Sequence, residues 1–274
     1  MFLDIDGTVQ TPEKPIDDRD RAAVTKLRAA KVKVYVNTGR SVPGACRARD
    51  ALGADSLVFA FNGAVVHDQD AGRDLVRLSL GPTSVQRSLD LAEHHGMGVF
   101  CFRDRKIYSH QPEHAEHRDI LERMQSVGVK LLDRRSDLPR EQLQKLWLLG
   151  PSSAADELIS ASTGPACRWV RPSVLRVFGR PDGSLTFLAA TPVPHLKRES
   201  LAYVQRTLGI PFEAMVAVGD DENDIEAVQA AGLGVAVSSA LPALKARADQ
   251  IIGAPEAGAV ADLLEALAET ATGP

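Results

Sequence analysis

The stretch Asp4-Ile5-Asp6-Gly7-Thr8 puts two carboxylates two residues apart at the end of a short apolar run. Side chains two apart on an extended strand share a face, so Asp4 and Asp6 are expected to point the same way. Two such charges ~4 Å apart repel by about 4 kcal/mol at an effective dielectric of 20. They persist together only with a cation beside them or a proton on one. A second cluster, Gly219-Asp220-Asp221-Glu222-Asn223-Asp224, has five acidic residues among the seven from Asp220 to Glu226. Asp220 and Asp224, four apart, share a face on a helical turn. Acid at a helix start also caps free N–H groups and complements the dipole, but five residues exceed what capping needs. A hard divalent cation accounts for the surplus, because Mg²⁺ takes oxygen ligands and keeps several waters. In Asn37-Thr38-Gly39-Arg40, the Thr38 hydroxyl and nearby backbone N–H groups are donors suited to an oxyanion, and Lys197 adds an ammonium.

These groups need a scaffold, and the hydrophobic pattern supplies one. Phe2–Ile5, Val32–Val36 and Leu57–Ala60 read as strands, separated by amphipathic helices over Asp17–Ala30 and Ser41–Leu52. Strand, helix, strand, helix, strand is the grammar of a parallel sheet, with ligands bound at the C-terminal ends of its strands. From about Pro82 the rhythm changes. A helix over Thr83–His95 leads to strands at Gly98–Phe102 and Lys106–Ser109. A helix over Glu113–Val127 precedes strands at Val129–Leu132 and Leu146–Leu149, and another helix follows Pro151. Strands at Arg168–Arg171, Leu175–Phe178 and Leu185–Leu188 close this part, with Pro181-Asp182-Gly183 as a turn. That pattern predicts an antiparallel sheet with helices on one face. From Lys197 the parallel grammar returns: a helix to Leu208, a strand at Met215–Val218, a helix over Glu222–Ala231, a strand at Gly234–Val237 and a closing helix over Ala257–Ala268. The expected organisation is an α/β, Rossmann-like parallel-sheet core (1–80 and 190–274) with an inserted α+β domain (81–189). The tail after Glu269 is expected to fray.

Composition narrows the function classes. With 32 basic and 36 acidic residues the formal charge is 32 − 36 = −4, and 44% of the 274 residues are apolar. This balance excludes an extended basic surface for nucleic acid and a dominantly disordered chain. No run approaches the ~18 apolar residues of a membrane span, and the N-terminus lacks the features of a signal peptide. Cys46, Cys101 and Cys167 form no metal spacing or disulfide framework, which points to a reducing cytoplasm.

Taken in order, Asp4-x-Asp6-Gly7-Thr8, Thr38-Gly39-Arg40, Lys197 and Gly219-Asp220-x-x-Asn223-Asp224 resemble the four motifs of the haloacid dehalogenase-like hydrolases. The long α+β insertion is similar to the type II, subclass B cap of the Cof-type and sugar-phosphate phosphatases, and Asn62-Gly63-Ala64 fits that subclass. The resemblance implies that Asp4 is a nucleophile forming an aspartyl phosphate and that Asp6 is the general acid and then base. It implies Mg²⁺ on Asp4, the Asp6 carbonyl and Asp220, with Asp224 nearby, and phosphoryl contacts from Thr38, Gly39, Lys197 and Asn223. It further implies a small phosphorylated metabolite as substrate, with specificity set by the cap. Arg103, Arg105 and Arg180 are cap-side candidates for an anionic or sugar moiety. Electrostatics agree independently, since a carboxylate approaches a phosphate only when cations offset the charge. The chain departs from the family pattern in Arg198 after the motif lysine (usually Gly), in Ser239 (often Asn), and in having three residues before Asp4.

Other features imitate function less well. His110, His114 and His117 with Glu113 and Glu116 suggest a metal cluster, but a polar helix face predicts the same residues. Gly232-Leu233-Gly234 lacks the third glycine of a dinucleotide fingerprint, and no Gly-x4-Gly-Lys loop is present. Leu89, Leu91 and Trp147 read as packing residues. A phosphomutase and a non-enzymatic phosphoaspartate switch remain alternatives to a phosphatase.

Overall fold

In the computed structural model of the protein, the apolar runs pair into two sheets. The structure describes residues 1–110, 118, 120–122, 128–161, 167–171, 185–192 and 197–272. The chain divides into two compact units, Met1–Val76 with His195–Pro274, and Arg77–Pro194.

The first unit has a sheet of β1 (Phe2–Leu3), β2 (Tyr35–Asn37), β3 (Leu57–Ala60), β4 (Val65–Asp68), β5 (Arg73–Arg77, whose last residue passes into the second unit), β12 (Val216–Gly219), β13 (Leu233–Val237) and β14 (Gln250–Ile252). Their order is β14-β13-β12-β1-β2-β3-β4-β5. From β14 to β3 every neighbour is parallel, whereas β3 and β4 are antiparallel. Strands buried on both faces should read as continuous apolar runs, and Phe2, Leu3, Val36, Val58, Phe59, Val235 and Ala236 are all buried. Although β1 is two residues long, the Asp4 N–H donates to the Val218 carbonyl at 3.1 Å, so the ladder holds Asp4 at its end. The rings of Phe2, Tyr35 and Phe59 pack with centroids 5.4–5.8 Å apart across three neighbouring strands.

Helices arise where the sequence supplies caps. Helix Asp18–Ala29 starts at a capping box in which Asp17 and Asp20 each accept from the other's N–H. Pro43 occupies the first turn of Val42–Leu52, where no N–H is needed, and Gly53 ends that helix at φ +67°. The expected helix over Glu222–Ala231 is a single 3₁₀ turn, Glu222–Asp224, followed by helix Ile225–Ala230. The closing helix runs Ala259–Thr272. Of the tail expected to fray, Thr270–Thr272 continue this helix, and Gly273 and Pro274 lie outside the described residues.

The second unit's sheet has the order β10-β11-β9-β6-β7-β8, where β6 is Gly98–Arg103, β7 Lys106–His110, β8 Val129–Leu132, β9 Lys145–Pro151, β10 Cys167–Val170 and β11 Leu185–Pro192. It is antiparallel except that β7 and β8 run parallel. That pairing corrects the purely antiparallel expectation; parallel neighbours need a long crossover, which the chain between them is long enough to make. Val99, Cys101, Leu146, Leu148 and Leu188 bury one face with Val85, Leu89 and Leu158 of helices Pro82–His94 and Ser152–Ala161. Leu91 packs beside them. Most of the helix expected over Glu113–Val127, the strand Leu175–Phe178, the turn Pro181-Asp182-Gly183, and Glu113, His114, Glu116, His117 and Arg180 lie outside the described residues.

Candidate active site

The site forms where β12, β1 and β2 end side by side. Asp4 follows β1, Thr38 follows β2, and Asp220 follows β12. Asp4, Asp220 and Asp224 each bring a carboxylate oxygen within 4.8 Å of the others, and all three are buried. Among the described residues this is the one such group of three potential metal ligands. Two glycines make the space. A Cβ on Gly7, at φ +84°, would lie 2.1 Å from Asp220 Oδ2, and one on Gly219 would lie 2.3 Å from Asp224 Cγ. Any side chain at either position displaces a carboxylate.

Lys197, 1% exposed, lies between two of the acids, its Nζ 2.5 Å from Asp4 Oδ1 and 2.7 Å from Asp224 Oδ1. Burial alone would lower its pKa, but the charges of Asp224 and Asp4 outweigh burial and raise it, so the ammonium stays charged. Its main chain is fixed by Asn37, whose amide donates to the Lys197 carbonyl at 3.1 Å and whose Oδ1 accepts from the Ser200 hydroxyl at 2.8 Å. Thr8 Oγ1 is 3.0 Å from Asp4 Oδ2 and 3.2 Å from Asp220 Oδ1. One hydroxyl has one proton, so it satisfies one carboxylate at a time. The pKa of Asp220 is raised by burial first and then by the charges of Asp4 and Asp224. Burial also raises Asp224, against the pull of Lys197. Three buried carboxyl groups share one ammonium, and the raised pKa values show that their full ionisation needs a further cation. Oxygen ligands in that arrangement fit a hard divalent cation.

The other expected residues are placed differently. The Asp6 side chain, half-exposed, is outside the acidic group. It accepts two hydrogen bonds from Arg40, Nε at 2.8 Å and Nη2 at 2.5 Å, and Arg40 also donates to Gln10 Oε1 at 3.2 Å. Strand β1 ends at Leu3, and the Ile5 carbonyl already accepts from the N–H groups of Thr8, Val9 and Gln10, so the strand periodicity that put Asp4 and Asp6 on one face does not extend to Asp6. Thr38 is fully buried, and its Oγ1 accepts from the Arg40 N–H at 3.2 Å, with Gly39 between them. Asn223 Nδ2 donates to Asn62 Oδ1 at 2.8 Å, while the buried Asn223 Oδ1 has no partner. Asp224 doubles as a cap, since its Oδ2 accepts from the Asp221 N–H at 3.2 Å. Capping and clustering are therefore served by the same side chain.

Sequence reasoning assigned no role to Thr8, Asn37, Arg40 or Asn62, although all four lie inside the quoted stretches. The available signal was a run of polar residues directly after an apolar strand. Arg198, which departs from the family pattern, turns outward, with its guanidinium 5.4 Å from the Phe212 ring centroid. Gly232 and Gly234 allow close packing, since a Cβ on either would fall about 2 Å from a backbone carbonyl oxygen. Arg103 lies over the Tyr108 ring at 5.2 Å, and Arg105 is exposed.

A parallel α/β core with carboxylates, an ammonium and a threonine at its strand ends, interrupted by an α+β unit, defines a class of hydrolase. A family model described as haloacid dehalogenase-like hydrolase matches residues 1–264. The chain belongs to the haloacid dehalogenase-like hydrolases. It is 27% identical to the pyridoxal phosphate phosphatase YbhA of Escherichia coli, over 92% of each chain. It is 25% identical to a phosphoglycolate phosphatase of Archaeoglobus fulgidus, over 97% of this chain and 96% of that one. The fold matches a haloacid dehalogenase subclass IIB sugar phosphatase, BT4131, with a TM-score of 0.81 over 97% of both chains at 18% identity. No helix among the described residues is long and apolar enough to cross a membrane.

Proposed function

We propose that this hydrolase is a Mg²⁺-dependent phosphatase of small phosphate monoesters that works through an aspartyl phosphate on Asp4. The observation that carries the reading is the Lys197 ammonium held between Asp4 and Asp224 beside Asp220. An ammonium against a carboxylate nucleophile offsets the repulsion that a phosphate dianion would meet.

Asp4, Asp220 and Asp224, with the Asp6 carbonyl, would hold Mg²⁺, which when bound would supply the remaining positive charge for the phosphoryl oxygens. An Asp4 oxygen attacks phosphorus, the ester P–O bond breaks, and Asp6 gives a proton to the departing alcohol. Water then attacks phosphorus of the aspartyl phosphate, Asp6 takes its proton, and inorganic phosphate leaves Asp4 free. Lys197, Thr38, the Gly39 N–H and the Asn223 amide hold the phosphoryl oxygens. The inserted unit acts as the cap. Relatives named as phosphatases of pyridoxal phosphate, phosphoglycolate and 5-amino-6-(5-phospho-D-ribitylamino)uracil support a small phosphorylated metabolite as substrate. A cytoplasmic location belongs to the same reading, supported by the unbridged thiol of Cys101.

The test is phosphate release from p-nitrophenyl phosphate and from a panel of sugar phosphates, phosphoglycolate and pyridoxal phosphate, with Mg²⁺ or with chelator. The expected result is turnover with Mg²⁺ that chelation abolishes and Mg²⁺ restores. Turnover indifferent to chelator contradicts the metal role, and isomerised sugar phosphate without phosphate release contradicts hydrolysis.

A further inference from the structure

The turn joining β3 to β4 has a backbone that its sequence does not favour. Phe61, Asn62 and Gly63 have φ of +51°, +59° and +88°. Only glycine adopts that region freely, asparagine tolerates it, and a bulky aromatic does so at a cost. Such strain persists where surrounding contacts over-determine it. Here the Phe61 N–H donates to the Arg40 carbonyl at 2.9 Å and the Asn62 N–H to the Thr38 carbonyl at 3.0 Å. The turn after β3 is thereby fastened to the loop after β2, which carries Thr38. Phe61 and Asn62 are both buried.

The Asn62 side chain makes a second, longer-range link. Its Oδ1 accepts from Asn223 Nδ2 at 2.8 Å, and Asn223 sits in the turn after β12. In the sheet β12 and β3 are separated by β1 and β2. Strands lie ~4.8 Å apart, so this one bond connects loops whose strands are three spacings apart, on either side of Asp4 and Thr38. A carboxamide has two N–H donors. Asn62 occupies one and leaves the other for a phosphoryl oxygen.

We propose that Asn62 is a positioning residue: from its left-handed turn it fixes the Asn223 carboxamide and the Thr38 loop in one relative arrangement, so that both meet the same phosphoryl group. The inference rests on the phosphatase reading above and adds a residue that acts through Asn223. Asn62→Gly keeps the positive φ while removing the side chain that carries the acceptor, and its melting curve separates this role from a purely structural one. Asn62→Asp keeps the acceptor.

The experiment measures kcat and KM for p-nitrophenyl phosphate with Mg²⁺ in the parent chain, Asn62→Gly, Asn223→Ala and the double variant, with thermal melting of each. Asn62→Gly is expected to lower kcat/KM on the order of tenfold, the size of one oriented hydrogen bond, while melting close to the parent. In the Asn223→Ala background the same change is expected to cost less than about twofold, because the group it positions is gone. Asn62→Asp is expected to recover kcat relative to Asn62→Gly. Equal losses in both backgrounds, or no loss in Asn62→Gly alone, overturn the positioning role and leave the phosphatase reading standing. Failure of the parent chain to turn over any phosphate ester overturns that reading and this role with it.

Discussion

Each unit of the chain buries one lysine, and the neighbours seen around the two differ. Lys197 in the first unit is 1% exposed and lies between Asp4 and Asp224. Lys145 in the second is 3% exposed and lies over aromatic rings, its Nζ 4.6 Å from the Trp147 centroid and 5.8 Å from that of Phe102. A buried ion pair is a poor stabilising device, because desolvation of the charges consumes most of the attraction. A parallel sheet that collects three carboxylates and an ammonium at its strand ends is therefore arranged for chemistry at some expense in stability. The inserted sheet instead packs an apolar face against helices, and the Lys145 contact with Trp147 and Phe102 is part of ordinary packing.

Several changes break or sharpen that contrast. Asp4→Asn removes the proposed nucleophile with little change in shape, and kcat for a generic phosphate ester should fall more than about a thousandfold. Steady-state assays and a circular-dichroism spectrum like the parent's check it; retained turnover would sink the assignment. The same substitution at the two lysines gives the most direct comparison. Lys197→Met leaves Asp4 and Asp224 without their ammonium. It should cost about 3–5 kcal/mol of stability in the metal-free chain and at least about a hundredfold in kcat. Lys145→Met keeps much of the volume and the contact with the rings, and kcat for p-nitrophenyl phosphate should be unchanged. Urea titrations and assays on the pair decide it, and equal losses at both positions would erase the distinction.

A smaller effect follows from the acids. Asp220 and Asp224 have folded-state pKa values raised above their unfolded values, chiefly by burial. Such a group contributes stability below the unfolded pKa, about 4, and that stability is lost as pH rises through the folded value. The metal-free chain should therefore lose several degrees of melting temperature between mildly acidic pH and neutrality. Mg²⁺, which favours the ionised carboxylates, should raise the melting temperature more as pH increases. Parallel melting curves against pH with and without Mg²⁺ would contradict this.

Much of the core was legible because its strands are buried on both faces and read as apolar runs. Leu57–Ala60 and Val129–Leu132 were expected with the bounds they have, while β4, β5 and β14 were not expected. β5 and β14 expose alternate or most residues, and short edge strands leave little periodicity to read. Of the site, Asp4, Asp220 and Asp224 were legible as acid at strand ends, and the structure brings them together with Lys197. The Arg40 pairing of Asp6, the Thr8 bridge and the Asn62–Asn223 link were not legible. Each joins residues far apart in sequence or across a turn whose conformation no local pattern specifies.

The central claim is that Asp4 accepts a phosphoryl group under the charge set by Lys197 and its neighbouring acids. The most direct measurement is acid quenching during turnover of a phosphate ester with Mg²⁺, followed by peptide mapping by mass spectrometry. The account predicts a phosphoryl group on Asp4 that hydroxylamine removes and that is absent from Asp4→Asn. Phosphorylation at another residue, or sustained turnover with Asp4 never modified, would contradict it.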